Sequence, residues 1–241
     1  MFFAISYRSD RPGRGMAILW AAAFLFLAAP VTAQDAGSSN WDNQIYLGNK
    51  IAGGKNKWKF SGELQTRLRN NMQTLDNWYV EGVSNYLATE WLEIVPDFRF
   101  TIKPDKLEWR PGFGLLYKNL RHKLQFINQL KWQIDISNHG AADQAFREVV
   151  FLNYKVNEKI ILSSIAGFIY RWRENWNGFQ YIRVGPGISY IFDEKHILNF
   201  SYFTGVENVE GDWSWAGIPS IQLLINVSMK YRYKPAYYIE F

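Results

Sequence analysis

Apolar and polar residues alternate along much of this chain with a period of two, the pattern of strands that have one apolar face. The alternation is cleanest over 221–233, where only Leu224 breaks it, and the apolar phase then continues to Phe241. These stretches run to about ten residues or more, which suits a strand that crosses a bilayer and exceeds the usual strand of a soluble sheet. Similar segments begin at Trp58, Leu92, Leu107, Leu124, Ile182 and Leu198.

The number of strands follows from counting these segments. We count about ten between 57 and 233, and an eleventh at 41–51. Since single-chain bacterial barrels have even strand numbers, either 41–51 is not a membrane strand or a twelfth lies within 207–218. The sequence therefore predicts an all-β fold, a transmembrane antiparallel up-and-down β-barrel of about 10–12 strands. A soluble β-sandwich or lipocalin-like fold is the alternative, because alternation alone does not separate the two.

The N-terminus has the order of a secretory signal. Basic residues precede an uncharged apolar run and then a small-residue cleavage site: Arg8, Arg11 and Arg14, then 17–29, then Val31-Thr32-Ala33. We predict a cleaved signal peptide at 1–33 and a single barrel domain at 34–241, in which 34–56 is an N-terminal extension or the first strand. A retained membrane helix is the alternative, although the run is short for one. The expected location is the bacterial outer membrane.

Composition excludes several classes of protein. The chain has no cysteine, which rules out a disulfide scaffold and thiolate metal sites. Eleven tryptophans suit aromatic belts at two membrane interfaces. A net charge of +5 is too mild to indicate nucleic-acid binding. No group of residues has metal-ligand spacing, so we expect no cofactor.

One hairpin motif recurs. A strand ends in Asn-Tyr or Ser-Tyr, a tight turn carries Glu, and a new amphipathic strand follows: Tyr86 to Glu90, Tyr154 to Glu158 and Tyr190 to Glu194. In this motif, mainly over 79–100 (YVEGVSNYLATEWLEIVPDFRF) and 147–202, the chain resembles the outer-membrane barrels catalogued as domain of unknown function 2490. The resemblance implies a barrel fold and an outer-membrane location, and it brings no activity. We expect these tight turns to be periplasmic, and looser stretches at 70–76, 137–145, 173–178 and 207–220 to be extracellular loops.

The polar faces of the strands carry many charges, and two interpretations fit them. They line a narrow pore with mild anion preference, or they form paired networks that fill the lumen. We predict a structural or binding role, or a narrow diffusion pore for small solutes. The lumen candidates are Glu63, Arg67, Arg69, Glu93, Asp97, Arg99, Glu108, Arg110, Lys131, Arg183, Lys230 and Arg232.

An outer-membrane lipid hydrolase is the alternative function. Ser137 and His139 lie in a predicted extracellular loop, followed by Asp143, and these are the residue types of nucleophilic hydrolysis. The same residues also form an ordinary polar turn, with Gly140 giving backbone freedom. The chain lacks the His-x-Ser-Asn order of barrel lipid A deacylases. We therefore weigh Ser137 and His139 only as weak catalytic candidates.

The expected partners follow from the fold. Outer-membrane lipids surround the barrel, and the barrel-assembly machinery, which reads C-terminal aromatic strands, binds the chain during biogenesis. Phe241 is the candidate for that signal, although Pro235 interrupts the final strand and makes Tyr233 another possible end.

Overall fold

The computed structural model describes residues 41–140, 142–209 and 211–239. The predicted signal peptide and Phe241 lie outside the described residues. The described part of the chain is all-β, and it contains no helix long and apolar enough to span a membrane. Its strands are β1 (Trp41–Asn43), β2 (Ile45–Asn56), β3 (Trp58–Arg69), β4 (Thr74–Leu87), β5 (Leu92–Ile102), β6 (Leu107–Arg121), β7 (Leu124–Ser137), β8 (Ala142–Lys155), β9 (Ile160–Trp172), β10 (Asn177–Ile191), β11 (His196–Val209) and β12 (Asp212–Tyr231).

The sheet closes on itself through a parallel pair. Each strand from β2 to β12 is antiparallel to the next, and β12 then pairs in parallel with β2, with Ser220 opposite Tyr46. β1 precedes β2 across Gln44 and also pairs in parallel with β12. Among the described residues the wall therefore has eleven strands, plus the short β1. The expected even number of strands is wrong for this chain. In an antiparallel wall with an odd number of strands, the first and last strands run in the same direction, as β2 and β12 do.

The assignment of the segments at the two chain ends is thereby settled. The segment at 41–51 is part of the wall, since β2 pairs on both sides. No additional strand lies within 207–218 in the described part of the chain. That range belongs to β11 and β12, which pair up to Val209 and Asp212.

The two faces of the wall are those that the alternation predicts. In β7, Phe126, Leu130 and Trp132 are exposed, whereas Gln129 and Lys131 are buried between them. A soluble barrel or sandwich buries its apolar face, and here that face points outward. An exposed apolar surface that surrounds a closed barrel needs a hydrocarbon solvent. The chain is an outer-membrane β-barrel with lipid around its outer face.

Aromatic pairs occur on the outer face towards both ends of the wall. At one end the rings of Trp58 and Tyr86 lie 4.9 Å apart between centroids. Towards the other end, those of Trp132 and Trp172 lie 5.1 Å apart. Two such girdles mark the two interfaces of the bilayer.

The turns at both ends of the barrel are short. We call one end the tail end, with turns at Lys57, 88–91, 122–123, 156–159 and 192–195. We call the other the vestibule end, with the connections from β3 to β4 (70–73), β5 to β6 (103–106), β7 to β8, β9 to β10 (173–176) and β11 to β12. The three copies of the hairpin motif all lie at the tail end. The long extracellular loops expected at 137–145 and 207–220 are wrong, because most of those residues are in strands.

Glu148 interrupts the apolar outer face. It lies near the middle of β8 between Arg147 and Val149, both of which are buried inside. Its carboxylate accepts a hydrogen bond of 2.8 Å from Asn128 Nδ2, on the outer side of β7. Ionisable side chains on the lipid face of a barrel destabilise it most at mid-depth.

We predict that Glu148→Gln stabilises the barrel. Glutamine keeps an oxygen for Asn128 and removes the charge, so we expect the free energy of unfolding to rise by about 1 kcal/mol. Urea unfolding in lipid vesicles measures the change. The matched control is Glu90→Gln, which removes the same charge from an exposed turn and should leave stability unchanged. A loss of stability in Glu148→Gln would contradict the prediction.

Candidate functional site

The C-terminal tail (residues 232–239) occupies the lumen at the tail end. β12 ends at Tyr231, and the tail contains Pro235, which has no N–H for a ladder. The Ala236 N–H donates to Glu93 Oε1 at 2.6 Å, and Asn153 Nδ2 donates to the Tyr237 carbonyl at 2.7 Å. Glu93 and Asn153 are inward-facing residues of the wall. The apolar phase that continues past Pro235 therefore does not mark a strand, as the proline indicated, since this segment turns back into the barrel.

Apolar packing holds the last described residues of the tail. Ile239 is 2 % exposed and lies in a buried cluster with Leu116 and Ile165 of the wall. The ring of Tyr238 lies 5.4 Å from that of Phe151. Gly187 makes room for the tail, because a Cβ added there would be 2.4 Å from Ile239 Cδ1. The contact with Ile239 explains why a glycine is present at position 187 of β10.

A buried ion pair joins the wall to the tail. Lys118 Nζ lies 2.6 Å from Glu93 Oε1 and also donates to the carbonyl of Lys234 at 2.6 Å. Asn85 Nδ2 donates to the other oxygen, Glu93 Oε2, at 2.9 Å. Both oxygens of this carboxylate are thus engaged, one of them with the tail. Glu93, a predicted lumen residue, is a positioning residue for the tail.

Tyr237 adds a contact to the opposite side of the lumen. Its hydroxyl donates to Asn199 Oδ1 at 3.2 Å. Burial raises the pKa of Tyr237 to about 12, so the hydroxyl keeps its proton at neutral pH. The tail is consequently bound to β5, β8 and β11 together.

A layer of paired charges lies further along the lumen. Glu81 pairs with Arg99 at 2.8 Å and with Lys131 at 3.3 Å. Lys131 also pairs with Asp97 at 2.6 Å, and all four side chains are buried. Such pairing satisfies charges that the wall places out of bulk water.

At the vestibule end the lumen opens into a cavity of about 360 Å³, the vestibule. Cationic side chains dominate its lining: Arg67, Arg69, Arg99, Lys103, Lys106, Arg110, Arg147, Arg171, Arg173 and Arg183. Six carboxylates pair with members of this set: Asp76, Glu81, Glu108, Asp135, Asp143 and Glu207. The lining of the cavity itself contains these ten cations and three carboxylates, Asp76, Glu108 and Glu207, so the vestibule has a positive field.

Arg67 differs from its neighbours. Its guanidinium carbon lies 4.2 Å from the ring centroid of Tyr46 and 5.2 Å from that of Tyr79. Its Nε donates to Gln65 Oε1 at 2.7 Å. No carboxylate of the described residues forms an ion pair with it. Arg99, by contrast, stacks 3.8 Å from the Tyr79 centroid and is paired with an acid.

The structure divides the predicted lumen residues into three groups. Buried or half-buried inside the wall are Glu63, Arg67, Glu93, Asp97, Arg99, Glu108, Arg110, Lys131 and Arg183. Arg69 lies at the rim of the vestibule, with a side chain 55 % exposed beside Asp76. Lys230 and Arg232 are both exposed at the end of β12, away from the buried part of the lumen.

The weak catalytic candidates lie in a turn at the vestibule end. Ser137 Oγ accepts a hydrogen bond from the backbone N–H of His139 at 3.1 Å, as in an ordinary polar turn. The carboxylate of Asp143 accepts from Arg173 Nε at 3.0 Å. Ser137 and Asp143 are thus engaged with partners other than an imidazole. Within the described residues, no group of three or more His, Asp or Glu could hold a metal ion.

Sequence reasoning missed the asparagines that engage the tail. Asn85 and Asn153 directly precede the tyrosines of the repeated hairpin motif, and strand alternation turns them inward. The recurrence of Asn-Tyr was visible in the sequence. The asparagine of this pair points inward. Asn153 binds the tail directly, and Asn85 binds Glu93, the carboxylate that holds the tail.

Comparison with known proteins gives structural neighbours only. No family model matches the chain, and no curated protein is significantly similar to it. Among solved structures, the NanC porin in a rhombohedral crystal form is similar with a TM-score of 0.49 and 12 % identity, over 72 % of this chain and 95 % of that one. The KdgM porin in complex with disordered oligogalacturonate has a TM-score of 0.42 and 13 % identity, over 72 % and 93 %.

We predict that Glu93→Gln loosens the tail. The amide keeps the size of the side chain and removes the charge that strengthens the bonds from Lys118 and Ala236. Carboxypeptidase digestion of the folded barrel in detergent, followed by mass spectrometry, should release tail residues about tenfold faster. The control is Asp135→Asn, a buried carboxylate paired with Arg110 and Arg171 in the other half of the lumen. Equal release from both variants would contradict a specific role for Glu93.

Proposed function

We propose that this barrel is a narrow diffusion pore for small anionic solutes, and that the tail closes it in the described conformation. The observation that carries the proposal is the vestibule, a polar cavity inside a transmembrane wall in whose lining cations outnumber carboxylates. A cavity of one sign of charge concentrates solutes of the other sign. Beyond it, part of the obstruction is a chain segment rather than the wall itself.

The tail contacts suit a plug that moves. Hydrogen bonds with Lys118, Glu93, Asn153 and Asn199 join it to the wall, and Ile239 is buried. Ordering the tail costs conformational entropy that opposes these contacts. Residues 234–239 are held by side-chain contacts rather than by a strand ladder, which supports brief opening of the pore.

The wall offers a way to displace the tail without changing its sequence. In Gly187→Val, the new side chain would occupy the space of Ile239 Cδ1, while a β-branched residue suits a strand. The control is Gly82→Val on the outer face of β4, where an added Cβ meets nothing within 4 Å. Both variants keep the native C-terminus for assembly.

We predict brief, rare openings for the wild-type barrel in a planar bilayer and at least tenfold more open time for Gly187→Val. Gly82→Val should behave as the wild type. A salt gradient across the bilayer should give a reversal potential that favours anions. If Gly187→Val is folded and heat-modifiable yet silent, the pore proposal fails. A wild-type barrel that stays open would contradict closure by the tail.

The proposal includes the biogenesis of the barrel. The hairpin motif supports membership of the domain of unknown function 2490 family. Recognition of Phe241 by the barrel-assembly machinery remains a prediction, and the end of β12 at Tyr231 separates that residue from the strand.

We predict that deleting Phe241 lowers outer-membrane insertion severalfold, because assembly reads a terminal aromatic residue. Heat-modifiable protein in outer-membrane fractions measures insertion. The control is Tyr233→Ala, which alters the other candidate signal. Normal insertion of the protein without Phe241, together with reduced insertion of Tyr233→Ala, would show that Tyr233 is the assembly signal.

A further inference from the structure

We propose that Arg67, with Arg99 and Arg183 beside it, forms a binding site for small polyvalent oxyanions in the vestibule. The inference deepens the proposed function by naming a class of solute, and it rests on that function only for the passage of the bound anion. Binding itself needs only the geometry of the vestibule.

The charge of Arg67 is the first argument. Arg99 is paired with Glu81, and Arg183 is paired with Glu207. The side chain of Arg67 donates to the neutral Gln65, and no carboxylate among the described residues forms an ion pair with it. A half-buried guanidinium without a counter-charge is costly. An anion from solution supplies that charge.

The platform under these arginines is the second argument. Tyr46 and Tyr79 are 4 % and 1 % exposed, and their rings lie beneath the guanidinium of Arg67. The hydroxyl of Tyr46 donates to Gln44 Oε1 at 3.1 Å, which fixes that ring. Arg183 stacks 4.1 Å from the centroid of Tyr181 in the same cavity.

Stacking also determines what the arginines can bind. A ring that covers the flat face of a guanidinium leaves the in-plane N–H donors for a ligand. Their fork geometry matches two oxygens of a carboxylate, sulfate or phosphate. A halide has no such pair of oxygens. The site therefore selects oxyanions over chloride.

The size and charge of the vestibule favour more than one negative charge on the ligand. The cations of the lining outnumber its carboxylates and are spread around the cavity, so a multivalent anion contacts several of them at once. A cavity of about 360 Å³ accommodates a small multi-atom anion. Pyrophosphate and citrate are suitable probes, because they carry several charges on phosphate and carboxylate oxygens respectively.

The test is isothermal titration of the folded full-length mature barrel in nonionic detergent at low ionic strength, with chloride as the background anion. We expect either pyrophosphate or citrate, or both, to bind, and the probe that binds more tightly identifies the preferred oxygen chemistry. Arg67→Gln should weaken binding about tenfold or more, because charge-assisted hydrogen bonds are lost. Arg67→Lys should recover part of the loss, since it restores charge without the fork.

The matched control is Lys195→Gln, which removes one positive charge from an exposed turn at the tail end and should not change the affinity. No binding of either probe, or equal affinities for the wild type and Arg67→Gln, would overturn the site. If Arg67→Gln does not fold, Arg67→Lys provides the test. A probe affinity of Arg67→Lys equal to that of the wild type would contradict recognition of the anion by the guanidinium of Arg67. If binding depends on Arg67 but the barrel conducts no current in planar bilayers, the site is upheld and the pore is rejected. If the barrel conducts but binds neither probe, the pore is upheld and the site is rejected.

Discussion

Every backbone N–H and C=O inside a bilayer must be paired within the protein, because hydrocarbon offers no partner. A wall of eleven strands meets this requirement by pairing β12 with β2 in parallel, from Ser220 opposite Tyr46 to Tyr231 opposite Asn56. The parallel direction has a consequence for the whole molecule. The first wall strand, β2, begins at the vestibule end, and the last, β12, finishes at the tail end. The chain therefore leaves the last strand at the tail-end opening of the lumen. Residues 232–239 can therefore fill the barrel from that side.

The two halves of the lumen of this eleven-stranded wall are filled differently. In the tail half, apolar residues such as Leu116 and Ile165 pack with Ile239, and the pair of Lys118 and Glu93 binds the tail. In the vestibule half, arginines and tyrosines surround open space. The wall thus holds a chain segment in one half of its lumen and a polar cavity in the other.

Alternation predicted which face of most strands points to lipid, because each residue's side is fixed by its neighbours along the chain. The parity of the strands was not predictable in this way, since closure joins residues far apart in sequence. The range 207–218 has the glycine and acidic residues of a loop, yet β11 and β12 stay paired through it, with Val206 opposite Trp215, and make it a hairpin. Pro235 was the visible sign that the last apolar residues are not a strand. Which cation meets which carboxylate depends on register, so Arg67 could be placed in the lumen but not recognised as lacking an acid.

The distribution of paired charges separates a structural purpose from a functional one. If lumen charges served stability alone, each cation would be balanced nearby, as Lys131 is by Glu81 and Asp97. Excess cations in a confined space repel one another and destabilise the folded barrel. The vestibule keeps such an excess, and it keeps Arg67 on a buried aromatic platform that costs further ordering. An arrangement that opposes stability and holds donors ready is the kind found at functional sites, where a ligand supplies the missing charge.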